Sequence, residues 1–194
     1  MSRRVTKRLV RVGRRLLLAL VLVAFGTMAF VYLRWVYREQ RFNRMIEEVA
    51  AAQGADKFLI KAVMRQESGF DPFARSSAGA MGLMQVMGPA GEDWALGTGR
   101  QNFRRDMLWD SRANIEAGTW YLQRALRRWQ SKDDPLPFAL AEYNAGLGNV
   151  QKWLPRGRET TAAEFQAAIA WPGVRKYIEK VTTYHADYRE RGRL

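Results

Sequence analysis

The chain has 194 residues, 47% hydrophobic and 12% aromatic, enough for one well-buried domain plus an appendage. It has no cysteine, which excludes disulfides, a thiol nucleophile, thiolate metal ligation and a lipidated cysteine anchor. The formal charge of +13 would suit nucleic acid, but residues 1–44 carry 11 Lys/Arg against one acid, while residues 45–194 carry 21 against 18. The folded part is nearly balanced, so no footprint for a phosphate backbone and no nucleic-acid partner is expected.

The basic excess leads the chain. Seven Arg/Lys (Arg3, Arg4, Lys7, Arg8, Arg11, Arg14, Arg15) precede Leu16–Leu33, 18 residues without a charge. As a helix that run extends about 27 Å, close to the hydrocarbon thickness of a bilayer. The positive-inside rule keeps residues 1–15 in the cytoplasm, and Tyr32, Trp35 and Tyr37 suit the far headgroup interface. We read 16–36 as an uncleaved transmembrane signal anchor, 37–44 as a juxtamembrane link and 45–194 as the folded domain. A cleaved signal peptide competes, but the run is long for one and Ala24-Phe25-Gly26 is the nearest approach to a cleavage site. A buried core helix fits less well behind so dense a basic cluster.

From residue 45 the periodicity predicts helices over 45–52, 56–67, 81–96 (broken at Gly88-Pro89), 111–129, 136–144, 150–154, 161–170 and 175–188, with no strand. Asp110 or Ser111 caps the clearest of these, whose Ile115, Thr119, Leu122, Ala125, Leu126 and Trp129 recur at three- and four-residue intervals, as a central core helix would. Turn chemistry falls at Asp71-Pro72, Gly97-Thr98-Gly99, Asp133-Asp134-Pro135, Gly146 and Pro172-Gly173. Most of the seven Trp are expected in the core, Trp129 among them.

One carboxylate stands out. Glu67 ends an apolar helical run and precedes Ser68-Gly69, a helix stop, so its charge would face the negative end of the helix dipole. Phe70, Met84 and Met87 are expected to desolvate it, raising its pKa as a proton donor near neutral pH requires. The other constellations are weak. His185 is the only histidine and no carboxylate cluster has ligand spacing, so no metal and no cofactor is expected. Neither Gly97-Thr98-Gly99 nor Gly146-Leu147-Gly148 has the strand before it or the lysine after it that phosphate binding needs.

The segment 67–87, ESGFDPFARSSAGAMGLMQVM, resembles the first motif of the lytic transglycosylases with a goose-lysozyme-like fold, the soluble-lytic-transglycosylase-like family. NIEAGTWYL (114–122), ALAEYNAG (139–146) and RKYIEKV (175–181) follow in that family's order, so the resemblance covers about residues 45–188. It implies an all-α, lysozyme-like domain in which a single Glu cleaves peptidoglycan between N-acetylmuramic acid and N-acetylglucosamine, leaving a 1,6-anhydro end. By position, Glu67 is the catalytic acid and base. Ser76 carries a hydroxyl near the carboxyl and sugar, Gln85 and Met87 line the glycan groove, and the Tyr143 hydroxyl approaches the acid. Asn144 either contacts substrate or fixes the turn at Ala145-Gly146. Where the family often has Glu-Thr-Arg, this chain reads Gly173-Val174-Arg175, so a substrate-binding carboxylate is missing. The implied partners are glycan strands and, through the N-terminal helix, the membrane of the bacterial cell, with the domain in the periplasm. A water-using muramidase of the same fold and a non-catalytic glycan-binding scaffold are the alternatives.

Overall fold

A computed structural model of the chain describes residues 3–155 and 159–194, and side chains from residue 11 onward. It divides into two compact units at Arg41/Phe42. The first is one helix, α1 (Arg3–Gln40). Its most apolar stretch has a mean hydropathy of 2.5 and none of it is buried, so by length and composition it is able to cross a membrane. The stretch 37–44, expected as a link, is helical up to Gln40 and again from Asn43, with a turn only at Arg41-Phe42.

The second unit is all-α, as expected: among its described residues there are eight α-helices, a short 3₁₀ helix and no strand. They are α2 (Asn43–Gln53), α3 (Lys57–Ser68), α4 (Gly88–Gly97), the 3₁₀ turn Arg105–Trp109, α5 (Ser111–Arg128), α6 (Pro135–Ala145), α7 (Leu147–Trp153), α8 (Ala162–Ala168) and α9 (Pro172–Arg191). The starts follow from side chains that accept the orphan N–H groups of a first turn. Asp56 accepts from Phe58 and Leu59 N at 2.8 and 3.3 Å, Asp110 from Ala113 N at 2.9 Å, and Asp134 from Leu136 N at 3.0 Å. Thr161 and Glu164 form a reciprocal capping box on α8. Pro172-Gly173, read above as a turn, lies in the first turn of α9, where a proline has no intrahelical donor to lose.

α5 is the central helix, as its spacing predicts. Its buried face carries Asn114, Ile115, Ala117, Gly118, Thr119, Leu122 and Ala125, and it packs against α2, α4, α6 and the 3₁₀ turn. Trp129 is core as expected, stacked on Phe138 at 5.4 Å, with Phe138 stacked on Phe165 at 4.2 Å. α3 packs along α9, and α9 also meets α6. His185 of α9 bonds Asp56 Oδ2 at 2.8 Å, joining that helix to the cap of α3.

The helix expected over 81–96 begins only at Gly88. Residues 81–86 form a tight loop: Met81 and Val86 exchange both backbone hydrogen bonds at 3.0–3.1 Å, and Met81 also bridges Arg75. Gly82 at φ 74° and Gln85 at φ 49° lie in the left-handed region, which no helix continues through. Asn114 of α5 fixes the loop from beneath, accepting from Met84 N at 2.8 Å and donating to the carbonyls of Met81 and Leu108 at 2.7 and 2.9 Å. A Cβ on Gly82 would come within 2.5 Å of the Asn114 amide, so the position tolerates only glycine.

Candidate active site

Glu67 lies in the last turn of α3, which Gly69 stops in the left-handed conformation. Phe70 follows at φ 63°, an unusual conformation for a bulky residue, held because its ring is wholly buried. The Glu67 carboxyl is half-buried, and desolvation pushes its pKa up to about 7. A hydrogen bond from Tyr177 opposes that shift.

That bond comes from a residue to which the motifs gave no role. The hydroxyl that reaches the acid belongs to Tyr177 of α9, which donates to Glu67 Oε1 at 2.7 Å. Tyr143 of α6 instead donates to the Met84 carbonyl at 2.8 Å. It still stands within electrostatic reach of Glu67. Burial first, and then the nearby carboxylate, hold both phenols well above their usual pKa, so both remain neutral hydrogen-bond donors.

The remaining expected residues separate. The Ser76 hydroxyl accepts from Ala80 N at 3.0 Å, closing the loop it sits on, and makes no hydrogen bond with Glu67. Gln85 donates its amide to the carbonyls of Ala74 and Gly82, both at 3.0 Å, which stabilises its left-handed backbone. Met87, expected to help desolvate the acid, is 39% exposed at the start of α4, whereas Phe70 and Met84 are fully buried. Asn144 is exposed and makes no side-chain hydrogen bond. The turn it was a candidate to fix is held by Gly146 at φ 82° and by Asn149, which donates to Ala145 O at 2.8 Å.

Gln85, Met87, Tyr143 and Asn144 nevertheless come together, lining a cavity of about 390 Å³ with Gly118 and Tyr121. Tyr143 is common to this cavity and to the surroundings of Glu67. Gly118 permits that junction: a Cβ there would lie 2.6 Å from Met84 Cβ and 3.0 Å from the Tyr143 hydroxyl. Gly118→Val is therefore expected to destabilise the domain by about 2–4 kcal/mol through overpacking, measurable as a fall in Tm.

The other nearby carboxylates are engaged elsewhere. Asp71 accepts from Phe73 N at 3.1 Å and caps its own turn, as its place before Pro72 predicts. Glu142 is buried and accepts from Trp129 Nε1 at 2.7 Å and Arg128 Nε at 3.2 Å. Among the described residues no three His, Asp or Glu side chains cluster as metal ligands do.

Residues 44–166 match the family model described as the transglycosylase SLT domain. The chain belongs to that family. It is 34% identical over 173 residues to the membrane-bound lytic murein transglycosylase F of Desulfosudis oleivorans, an alignment covering 76% of this chain and 36% of the relative. It is 32% identical over 161 residues to the soluble lytic murein transglycosylase of Escherichia coli, covering 80% and 24%. The crystal structure of the 70 kDa soluble lytic transglycosylase from Escherichia coli superposes with a TM-score of 0.69 at 30% identity, over 80% of this chain and 26% of that one. The lysozyme-like fold expected from the motifs is thus borne out. This chain spans little more than a third of the first relative's length and about a quarter of the second's.

The family match ends at residue 166, before α9, the helix that brings Tyr177 to Glu67. Tyr177 was legible only as part of RKYIEKV, without a role. Gly118 and Asn114 were likewise visible in NIEAGTWYL but had no assignment.

Proposed function

We propose that this SLT-domain protein is a peptidoglycan lytic transglycosylase, with Glu67 as its one acid and base. The observation that carries the reading is a half-buried carboxyl with a pKa of about 7, bonded to a neutral phenol and, among the described residues, to no cation or second carboxylate. Glycosidases with two carboxyl groups place them about 5–5.5 Å or 6.5–9.5 Å apart, but Asp71 and Glu142 are committed to other partners. A single acid suffices if the substrate supplies the second nucleophile. Protonated Glu67 gives its proton to the glycosidic oxygen between N-acetylmuramic acid and N-acetylglucosamine as the C–O bond breaks, and the substrate's N-acetyl group stabilises the cationic centre. The ionised Glu67 then removes the proton from the muramic C6 hydroxyl, whose oxygen closes the 1,6-anhydro ring. The names of the relatives, which include murein transglycosylases, support the substrate class.

Mass spectrometry of products released from purified sacculi tests the reading. A transglycosylase yields muropeptides one water lighter than a muramidase would. Reducing-end products alone would establish the hydrolytic alternative, and binding without release would establish the scaffold.

The acid must start protonated. With a pKa of about 7, kcat/KM is expected to fall about tenfold between pH 6 and pH 8. The Tyr177 hydrogen bond lowers that pKa, so Tyr177→Phe is expected to move the alkaline limb to higher pH while slowing turnover several-fold through lost orientation. Tyr143→Phe, whose hydroxyl bonds Met84 O, leaves the limb in place and costs about 1 kcal/mol of stability. A pH–rate profile of the two variants separates them.

Ser76, Gln85, Met87, Tyr143 and Asn144 are assigned to the glycan-binding surface. Gln85, Met87, Tyr143 and Asn144 have the support of a shared cavity, and Ser76 has that of its loop. We further infer a single-pass protein of the bacterial inner membrane, anchored through residues 16–36, with 1–15 in the cytoplasm and 45–194 in the periplasm. The exposed apolar surface of α1 and the membrane-bound relative support this placement. Retention in the membrane pellet after carbonate extraction is the expected result.

A further inference from the structure

Trp171 is 49% exposed in a domain that buries Trp94 and Trp129. Its ring is nonetheless held in place. Trp153, at the end of α7, meets it edge-to-face with centroids 5.3 Å apart and planes at 75°. The Trp171 carbonyl starts α9 by accepting from Val174 N at 3.0 Å, and Arg175 secures the preceding corner by donating to Ile169 O at 2.8 Å. A fixed indole open to water presents a flat apolar face with a polar edge.

Its neighbourhood connects to the candidate site in two ways. α9 is the helix whose Tyr177 bonds Glu67, and Gly173 sits four residues before Tyr177, hence on the same helix face one turn nearer Trp171. A Cβ at Gly173 would meet nothing within 4 Å, so this face of the helix is open. On the other side, α7 begins beside Gly146 on the rim of the cavity and ends at Trp153.

The geometry points to Trp171 as a stacking platform for a sugar ring of the glycan strand, with the open helix face at Gly173 leaving room beside it. The inference rests on the reading of Glu67 given above and extends it to a binding subsite. A pyranose ring offers a face of C–H groups to the indole and keeps its hydroxyl edges in water, which matches a ring that is rigid and half-exposed. The platform requires no charge on the ligand.

The test is calorimetric titration of the full chain in detergent with chitopentaose, an uncharged and peptide-free β-1,4 oligomer of N-acetylglucosamine, in a Glu67→Gln background that cannot cleave. Adding Trp171→Ala is expected to weaken binding about five- to tenfold, and Trp171→Phe to preserve it within about twofold. Gly173→Leu covers the open face at a helical position and is expected to weaken binding comparably without loss of fold, checked by circular dichroism. Unchanged affinity in both Trp171→Ala and Gly173→Leu overturns the platform. Failure of the wild-type chain to release product from sacculi would instead overturn the catalytic reading, and the titration still decides the role of Trp171.

Discussion

Glu67→Gln is expected to abolish release of muropeptides from sacculi, lowering the rate by at least about a thousandfold, because glutamine can neither give nor take the proton. The same substitution is expected to stabilise the protein at alkaline pH. The folded-state pKa of the carboxyl is raised to about 7 by desolvation, against about 4.3 for an unperturbed glutamate. The folded chain therefore binds the proton more tightly than the unfolded chain. Its stability is fullest below pH 4.3 with respect to this group and declines as pH rises toward 7, by about 4 kcal/mol in all. Glutamine cannot ionise and removes that loss. Thermal melts should put the variant above wild type at pH 8 and close to it at pH 4. A variant that is inactive and also melts lower at both pH values would mean that Glu67 supports the fold rather than bears a costly ionisation.

The second large effect is expected at Asn114, which touches neither Glu67 nor the cavity. Its buried side chain makes three hydrogen bonds to backbone groups of Met84, Met81 and Leu108. Asn114→Ala leaves those groups without partners in a dry interior and is expected to cost about 3–4 kcal/mol, or roughly 10 °C in Tm. Activity should fall with it even where the protein remains folded. Met84, whose N–H Asn114 holds, is the residue whose carbonyl anchors Tyr143. Asn144→Ala supplies the contrast: an exposed amide without a side-chain hydrogen bond should change stability by less than about 0.5 kcal/mol. Denaturant melts of the two variants check both expectations.

These residues also show what a sequence can and cannot reveal. α5 was legible because one face of it is buried along its length, so Ile115, Thr119, Leu122 and Ala125 carry its period in the chain itself. Glu67 was legible because the helix stop at Gly69 and the motif around it are local. The loop at 81–86 was not. Met81, Leu83, Met84 and Val86 are all buried, which imitates a helical run, but their burial comes from a tight turn fixed by an asparagine some 30 residues away. The choice between two tyrosines was equally hidden. Tyr177 reaches Glu67 across 110 residues because α9 lies along α3, a packing that no local spacing encodes. The raised pKa itself is a tertiary property, since desolvation outweighs what the end of one helix supplies.

The proposed chemistry requires this carboxyl to hold its proton near neutral pH. Infrared difference spectra of wild type minus Glu67→Gln, followed across a pH titration, read the protonated carboxyl of Glu67 directly. A midpoint near pH 7 is the predicted result. A midpoint near 4.3, that of an ordinary exposed glutamate, would leave Glu67 ionised at neutral pH with no proton to give.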